Sequence, residues 1–239
     1  MSRTLALLSW LAFPVYVWQG VGVRLRTERM TPAKGPTSGR VDGAEPAIAL
    51  LVLGDSSAAG VGVARTDDGL AAQLARRLGQ ATGRAVSWRA AGFSSAVSSQ
   101  IRDFVIPNLA NEPWTHIVLS IGTNDAKNFH SAPRLKRDFG GMLYALRAKW
   151  PQALVVWSPV VDFTLVPAMP SALGKILEIR AQAINTMGER LCNERGAIAA
   201  TRLPITDAKA GFSEDGFHAS AAGYGAWAEH LAPFLLADE

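Results

Sequence analysis

Residues 47–57, AIALLVLGDSS, decide how this chain folds. Seven apolar residues run unbroken over 47–53 and end in Gly54-Asp55-Ser56-Ser57. A strand with one wet face alternates apolar and polar residues. An unbroken run marks a strand covered on both faces, as in parallel sheets flanked by helices. Outward from this stretch the pattern recurs at 116–121 (HIVLSI) and 153–157 (ALVVW), with shorter strand signals at 86–90 and 197–200. Between them lie helix-spaced segments. Residues 69–82 carry Leu70, Leu74 and Leu78, residues 135–150 carry Phe139, Leu143 and Leu146, and residues 171–195 and 219–236 complete the set. Residues 94–110 also read as helical, disturbed by Pro107. Strands alternating with helices at this spacing predict right-handed βαβ units. The expected fold is α/β, with a central parallel sheet of about five strands and helices on both faces.

The chain has 239 residues, which suits one such domain plus a tail. The domain is expected over 47–239. Residues 31–46, rich in Pro, Gly, Thr and Ser, read as a linker. Ahead of it, residues 1–30 form an apolar segment with a basic flank. Residues 5–23 (LALLSWLAFPVYVWQGVGV) contain no charge and as a helix reach about 28 Å, near the hydrocarbon thickness of a bilayer. They read as a membrane anchor with Trp10, Tyr16 and Trp18 at the interface. A helix packed on the domain, or lying along a membrane surface, is the alternative, and Pro14, Gln19 and the glycines favour it. A cleaved signal would want an A-x-A site, which is absent after the run. Arg24, Arg26 and Arg29 follow the segment, so a spanning helix would leave the body on the cytoplasmic side. A secreted or periplasmic location is the alternative.

The formal charge of +4 and the pI of about 9.5 do not mark a nucleic-acid binder. Much of the excess sits in Arg24, Arg26, Arg29, Lys34 and Arg40, and the remainder is nearly neutral. The single cysteine, Cys192, excludes an intrachain disulfide and a zinc site built on cysteine pairs.

In doubly wound sheets, functional residues gather beyond the carboxyl ends of the strands. Three short sequences fall there or just before the last helix: Gly54-Asp55-Ser56-Ser57, Gly122-Thr123-Asn124-Asp125 and Asp215-Gly216-Phe217-His218. A serine hydroxyl needs an adjacent base to attack at neutral pH, and His218 is the candidate. The imidazole needs a carboxylate to fix its tautomer, and Asp215 is the candidate. The oxyanion of a tetrahedral intermediate needs donors, which the Ser56 backbone N–H and the Asn124 amide can supply.

These blocks, in this order, resemble those of the SGNH, or GDSL-like, hydrolase family of esterases and lipases. The first reads G-D-S-x, the third G-x-N-D and the last D-x-x-H, and the resemblance covers about residues 47–236. It implies a flavodoxin-like three-layer α/β/α sandwich, a Ser56–His218–Asp215 triad, Asn124 as an oxyanion donor, and neither metal nor cofactor. One block departs. Where the family's second block supplies a glycine whose N–H is a further donor, this chain reads Ala90-Ala91-Gly92-Phe93-Ser94-Ser95, leaving Ser95 or Gly92 as the candidate. A backbone donor survives the loss of glycine only if the local φ/ψ admits a side chain.

Other residues read as structural. Asp55 shapes its turn, Asp125 belongs to the turn after Asn124, and His116 and His230 lack suitable sequence partners. His130 is a candidate pocket-border residue. Gly60-Val61-Gly62 starts like a dinucleotide fingerprint but lacks the third glycine. Phe129, Phe163 and Phe212 are candidates to line an apolar acyl pocket. The expected reaction is hydrolysis of carboxylic or thio-esters of small to medium acyl groups. A glycan O-deacetylase, or a catalytically silent membrane-associated binding protein of the same fold, are the alternatives. The partner is then a small-molecule ester; the sequence carries no signal for oligomeric state.

Overall fold

Buried strands and amphipathic helices alternate as the periodicities require. The computed structural model describes residues 11–26 and 30–236. In chain order it contains α1 (Phe13–Arg26), β1 (Ser38–Val41), β2 (Ala44–Gly54), α2 (Leu70–Thr82), β3 (Arg84–Gly92), α3 (Ser98–Gln100), β4 (His116–Ser120), α4 (Thr123–Lys127), α5 (Ala132–Lys149), β5 (Leu154–Trp157), α6 (Ser171–Glu194), β6 (Ile198–Ala199), α7 (Ala208–Gly211) and α8 (Ala221–Leu235). The strands form one sheet in the order β1-β3-β2-β4-β5-β6. All neighbours are parallel except β1, which runs antiparallel to β3. Without that edge strand the order is 2-1-3-4-5, the flavodoxin-like arrangement. Its topological switch falls between β2 and β4.

Alternate residues of β2 serve opposite faces. Leu51 and Leu53 join Ile117, Leu119, Trp157 and the inner sides of α5 and α6. Ile48, Leu50 and Val52 join Val86, Val118 and the inner sides of α2 and α8. Each fully buried aliphatic side chain contributes about 1.5–3 kcal/mol relative to exposure. The helices end where local chemistry stops them. Gly83 closes α2 with φ of 69°, its N–H returning to the Gly79 carbonyl. Ser131 and Ser220 cap α5 and α8 by accepting from the Arg134 and Gly223 N–H groups.

Three expectations need correction. The stretch read as a linker contributes β1, which pairs Ser38–Val41 with β3. Only four residues long and mostly exposed, β1 offers no hydrophobic pattern to read. The helix expected over 94–110 is broken into α3, a π-helical turn (Ile101–Val105) and a 3₁₀ turn (Ile106–Asn108) that accommodates Pro107. Finally, among the described residues no helix is long and apolar enough to cross a membrane. Residues 5–10 of the expected anchor lie outside the described residues. The remainder forms α1, with Pro14 in its first turn, and α1 packs against the body. The Tyr16 hydroxyl donates to the Lys127 carbonyl at 2.6 Å, and the Gln19 side chain accepts from the Leu173 N–H at 3.0 Å. The described part of the segment therefore follows the alternative of a helix packed on the domain.

Candidate active site

The turn after β2 brings Ser56 to the switch point. Gly54 must be glycine there, because a Cβ would overlap the Ser120 carbonyl on the neighbouring strand. The carboxylate of Asp55 turns inward and is fully buried. Its Oδ1 accepts from the Ser57 N–H at 3.1 Å and hydroxyl at 2.9 Å, and its Oδ2 from the Asn124 amide at 3.2 Å. Burial pushes its pKa up, against the Ser57 hydrogen bonds. Asp55 therefore organises the loop around the serine, as its place in the sequence suggested.

The loop before α8 supplies the other two groups. His218 Nε2 lies 3.2 Å from the Ser56 hydroxyl oxygen, and its Nδ1 lies 2.5 Å from Asp215 Oδ2. The second carboxylate oxygen, Asp215 Oδ1, accepts from the Ser213 hydroxyl and from the N–H groups of Phe217 and His218, all at 2.8–2.9 Å. Burial opposes ionisation of Asp215. The hydrogen bonds from the His218 ring and N–H, then from Phe217 and Ser213, outweigh it and hold the carboxyl well below its usual range. Because a carboxylate only accepts, Nδ1 carries the proton, and Nε2 is left to accept from Ser56.

The two loops touch through Gly62. Its φ is 105°, and a Cβ would overlap the Ala219 carbonyl and press on the Cβ of His218. The Tyr224 hydroxyl, donating to the Val61 carbonyl at 2.7 Å, holds the same turn from α8. The Gly60-Val61-Gly62 sequence thus serves loop packing around the histidine.

The donor candidates differ from one another. Asn124 is buried at the start of α4, lining the cavity, with its amide nitrogen engaged by Asp55 and by the Ala96 carbonyl at 3.0 Å. Ser95 also lines the cavity and has φ of 65°, in the left-handed region that favours glycine. Among the described residues neither the Ser95 nor the Ser56 N–H has a protein acceptor. Gly92 does not reach this cavity. It ends β3 opposite Gly54, where a Cβ would overlap the Gly54 carbonyl.

Ser56 and His218 open onto a cavity of about 1050 Å³, above the usual range of small-molecule pockets. Phe163, Val166, Leu173 and Phe212 line it. Phe129 does not line it. With φ of 53°, its ring turns away to pack on Tyr16 at 4.6 Å and on the Arg180 guanidinium at 5.0 Å. His130 is likewise withdrawn, buried against Asp125 with Nδ1 2.9 Å from Oδ1. Behind Phe163, the carboxylate of Glu178 accepts from the Phe163 N–H at 3.2 Å and from both terminal nitrogens of Arg202 at 2.7 Å. The sequence reading missed this support, and it missed α1 as a cavity wall. The signal was Tyr16 and Gln19, polar residues three apart on one helical face of an otherwise apolar run.

The model of the GDSL-like Lipase/Acylhydrolase family matches residues 52–226. The chain belongs to this family. This GDSL-like hydrolase is an ester-hydrolysing enzyme, and the alternative of a catalytically silent binding protein falls away. Among solved structures, it resembles that of TesA at 22% identity, with 78% of this chain and 97% of that chain covered and a TM-score of 0.65. The lipase Lip_vut3 from a goat rumen metagenome is similar at 18% identity over 78% and 97% of the two chains, with a TM-score of 0.64. A Clostridium thermocellum family 3 carbohydrate esterase is similar at 17% identity over 80% and 96%, with a TM-score of 0.62. At these identities the likeness establishes the fold. No curated protein sequence matches significantly.

Proposed function

We propose that the enzyme hydrolyses carboxylic or thio-esters of small to medium acyl groups through a Ser56–His218–Asp215 triad. The observation that carries this reading is the unbroken hydrogen-bonded line from Asp215 through His218 to Ser56 at the mouth of an apolar cavity. As the Ser56 oxygen attacks the acyl carbon, its proton passes to Nε2, and Asp215 stabilises the imidazolium. The imidazolium returns that proton to the departing alcohol or thiol, leaving an acyl-serine. Water, deprotonated by the same nitrogen, then releases the acid and restores the serine. The Ser56 and Ser95 N–H groups meet the oxyanion. Asn124 joins them by exchanging its longer bond, to Asp55, for one to the oxyanion.

The apolar lining favours acyl groups over sugars, so glycan deacetylation is the lesser reading. An active-site-directed fluorophosphonate tests the assignment. It is expected to modify Ser56 in the wild type, read by peptide mass spectrometry, and to leave Ser56→Ala unmodified. Equal labelling of both would remove Ser56 as nucleophile. We further propose that the outer face of α1, which exposes Trp18 and Leu25, rests on a lipid surface. Co-sedimentation with anionic vesicles that is lost in Trp18→Ser would support this, and no binding by the full chain would end it.

A further inference from the structure

The cavity at Ser56 has one wall that comes neither from the sheet nor from the helices flanking it. That wall is α1. Tyr16, Gly20 and Val23, at i, i+4 and i+7, line the cavity on one helical face, with Val17 and Val21 beside them. The helix is fixed where the wall needs it. Tyr16 is held by the Lys127 carbonyl at the end of α4, and Gln19 by the N–H of Leu173, whose own side chain lines the cavity. Phe129 supports the Tyr16 ring from behind. The family match begins at residue 52, so this wall lies outside the family pattern. At Gly20 the wall is indented: a Cβ added there meets nothing within 4 Å, while Tyr16 and Val23 on either side present side chains to the cavity.

We propose that α1 is the specificity wall of the acyl site and that Gly20 sets its depth. The part of a medium or long acyl chain remote from the ester occupies the indentation at Gly20, so this N-terminal helix determines how long a chain the enzyme accepts. The proposal rests on the reading of Ser56 as the site of ester cleavage. A side chain at position 20 fills the space the acyl chain needs, while a short acyl group, held near Ser56, does not reach it.

The test uses the full chain as wild type, Gly20→Ala, Gly20→Leu and, on the outer face, Val15→Ala. The readout is kcat/KM for p-nitrophenyl acetate, butyrate, octanoate and palmitate. Replacing glycine in a helix interior favours the helix, so these variants keep α1 formed. The palmitate-to-acetate ratio is expected to fall about 10-fold or more in Gly20→Leu and by less in Gly20→Ala. Acetate turnover should stay within about 2-fold, and Val15→Ala should keep the wild-type profile. A second measurement separates the wall from the chemistry. The fluorescent acid 11-(dansylamino)undecanoic acid is titrated into Ser56→Ala with and without Gly20→Leu, and about 10-fold weaker binding is expected with it. If wild type cleaves no ester but Gly20→Leu weakens the acid, the wall stands and the Ser56 reading falls. If esters are cleaved through Ser56 with an unchanged length profile, the wall is overturned. Should wild type be inert, unchanged or undetectable binding of the acid overturns it.

Discussion

Ser95 shows what a single residue can reveal. Its φ of 65° is the conformation in which a side chain costs about 1–2 kcal/mol relative to glycine, yet a serine stands there. The turn is therefore retained at the expense of stability, as expected if the direction of the Ser95 N–H matters. Ser95→Gly should keep activity and raise stability by up to about 1 kcal/mol, since the glycine also loses more freedom on folding. Ser95→Val, which resists positive φ, should lose about 10-fold or more in kcat with little change in KM. Unaltered kcat in Ser95→Val would free the oxyanion of this donor. Asp215 carries a sign as well as a size. Its folded-state pKa lies below its ordinary value, so its stabilisation is full at neutral pH and is lost as pH falls below about 4 towards the folded value. The urea midpoint of wild type should therefore exceed that of Asp215→Asn at pH 6, and the gap should shrink by pH 3. Asp215→Asn should also lower kcat by about 10³-fold or more, through the wrong imidazole tautomer.

At the scale of elements, legibility followed burial. Strands β2, β4 and β5 were readable as unbroken apolar runs, and helices α2, α5, α6 and α8 by their length and helix-spaced apolar residues. The residues proposed as the triad stood out because Asp215 and His218 are three apart and Ser56 follows a buried strand by two residues. Strand β1 was not, since an exposed four-residue edge is defined by its partner's hydrogen bonds and not by its own side chains. For helix α1 the anchor and the packed helix were both open, because an apolar run looks much the same whether lipid or protein receives it; Tyr16 and Gln19, whose side chains bond to the body, favour the packed helix. Removing the Tyr16 hydroxyl should cost α1 about 1 kcal/mol of local stability. Tyr16→Phe should thus speed amide exchange of α1 while leaving that of β2 and β4 unchanged. The Glu178–Arg202 pair belongs to the same scale. Glu178 is only 10% exposed and Arg202 28%, so Arg202→Met strands a largely buried carboxylate at a cost of about 2 kcal/mol. Thermal unfolding should register that loss, and the residues around Phe163 should loosen with it.

For the molecule as a whole, the sheet fixes where chemistry can occur, and segments outside its regular alternation shape the cavity. Five parallel strands bring Ser56 and Asn124 to one edge, and the return to α8 brings His218 over them. Segments outside the family match are nevertheless part of the structure. A chain beginning at Gly43 would lose β1, bare the edge of β3 and associate. One beginning at Thr31 would keep the edge covered, and light scattering on the two separates the outcomes. We propose that Ser56, activated by His218, cleaves the ester. The most direct test is the rate of p-nitrophenyl butyrate hydrolysis by the full chain and by Ser56→Ala, both shown folded by circular dichroism. Turnover by the wild type is expected, with a fall on the order of 10³-fold or more in kcat for Ser56→Ala. A Ser56→Ala protein that hydrolyses the ester at the wild-type rate would contradict it.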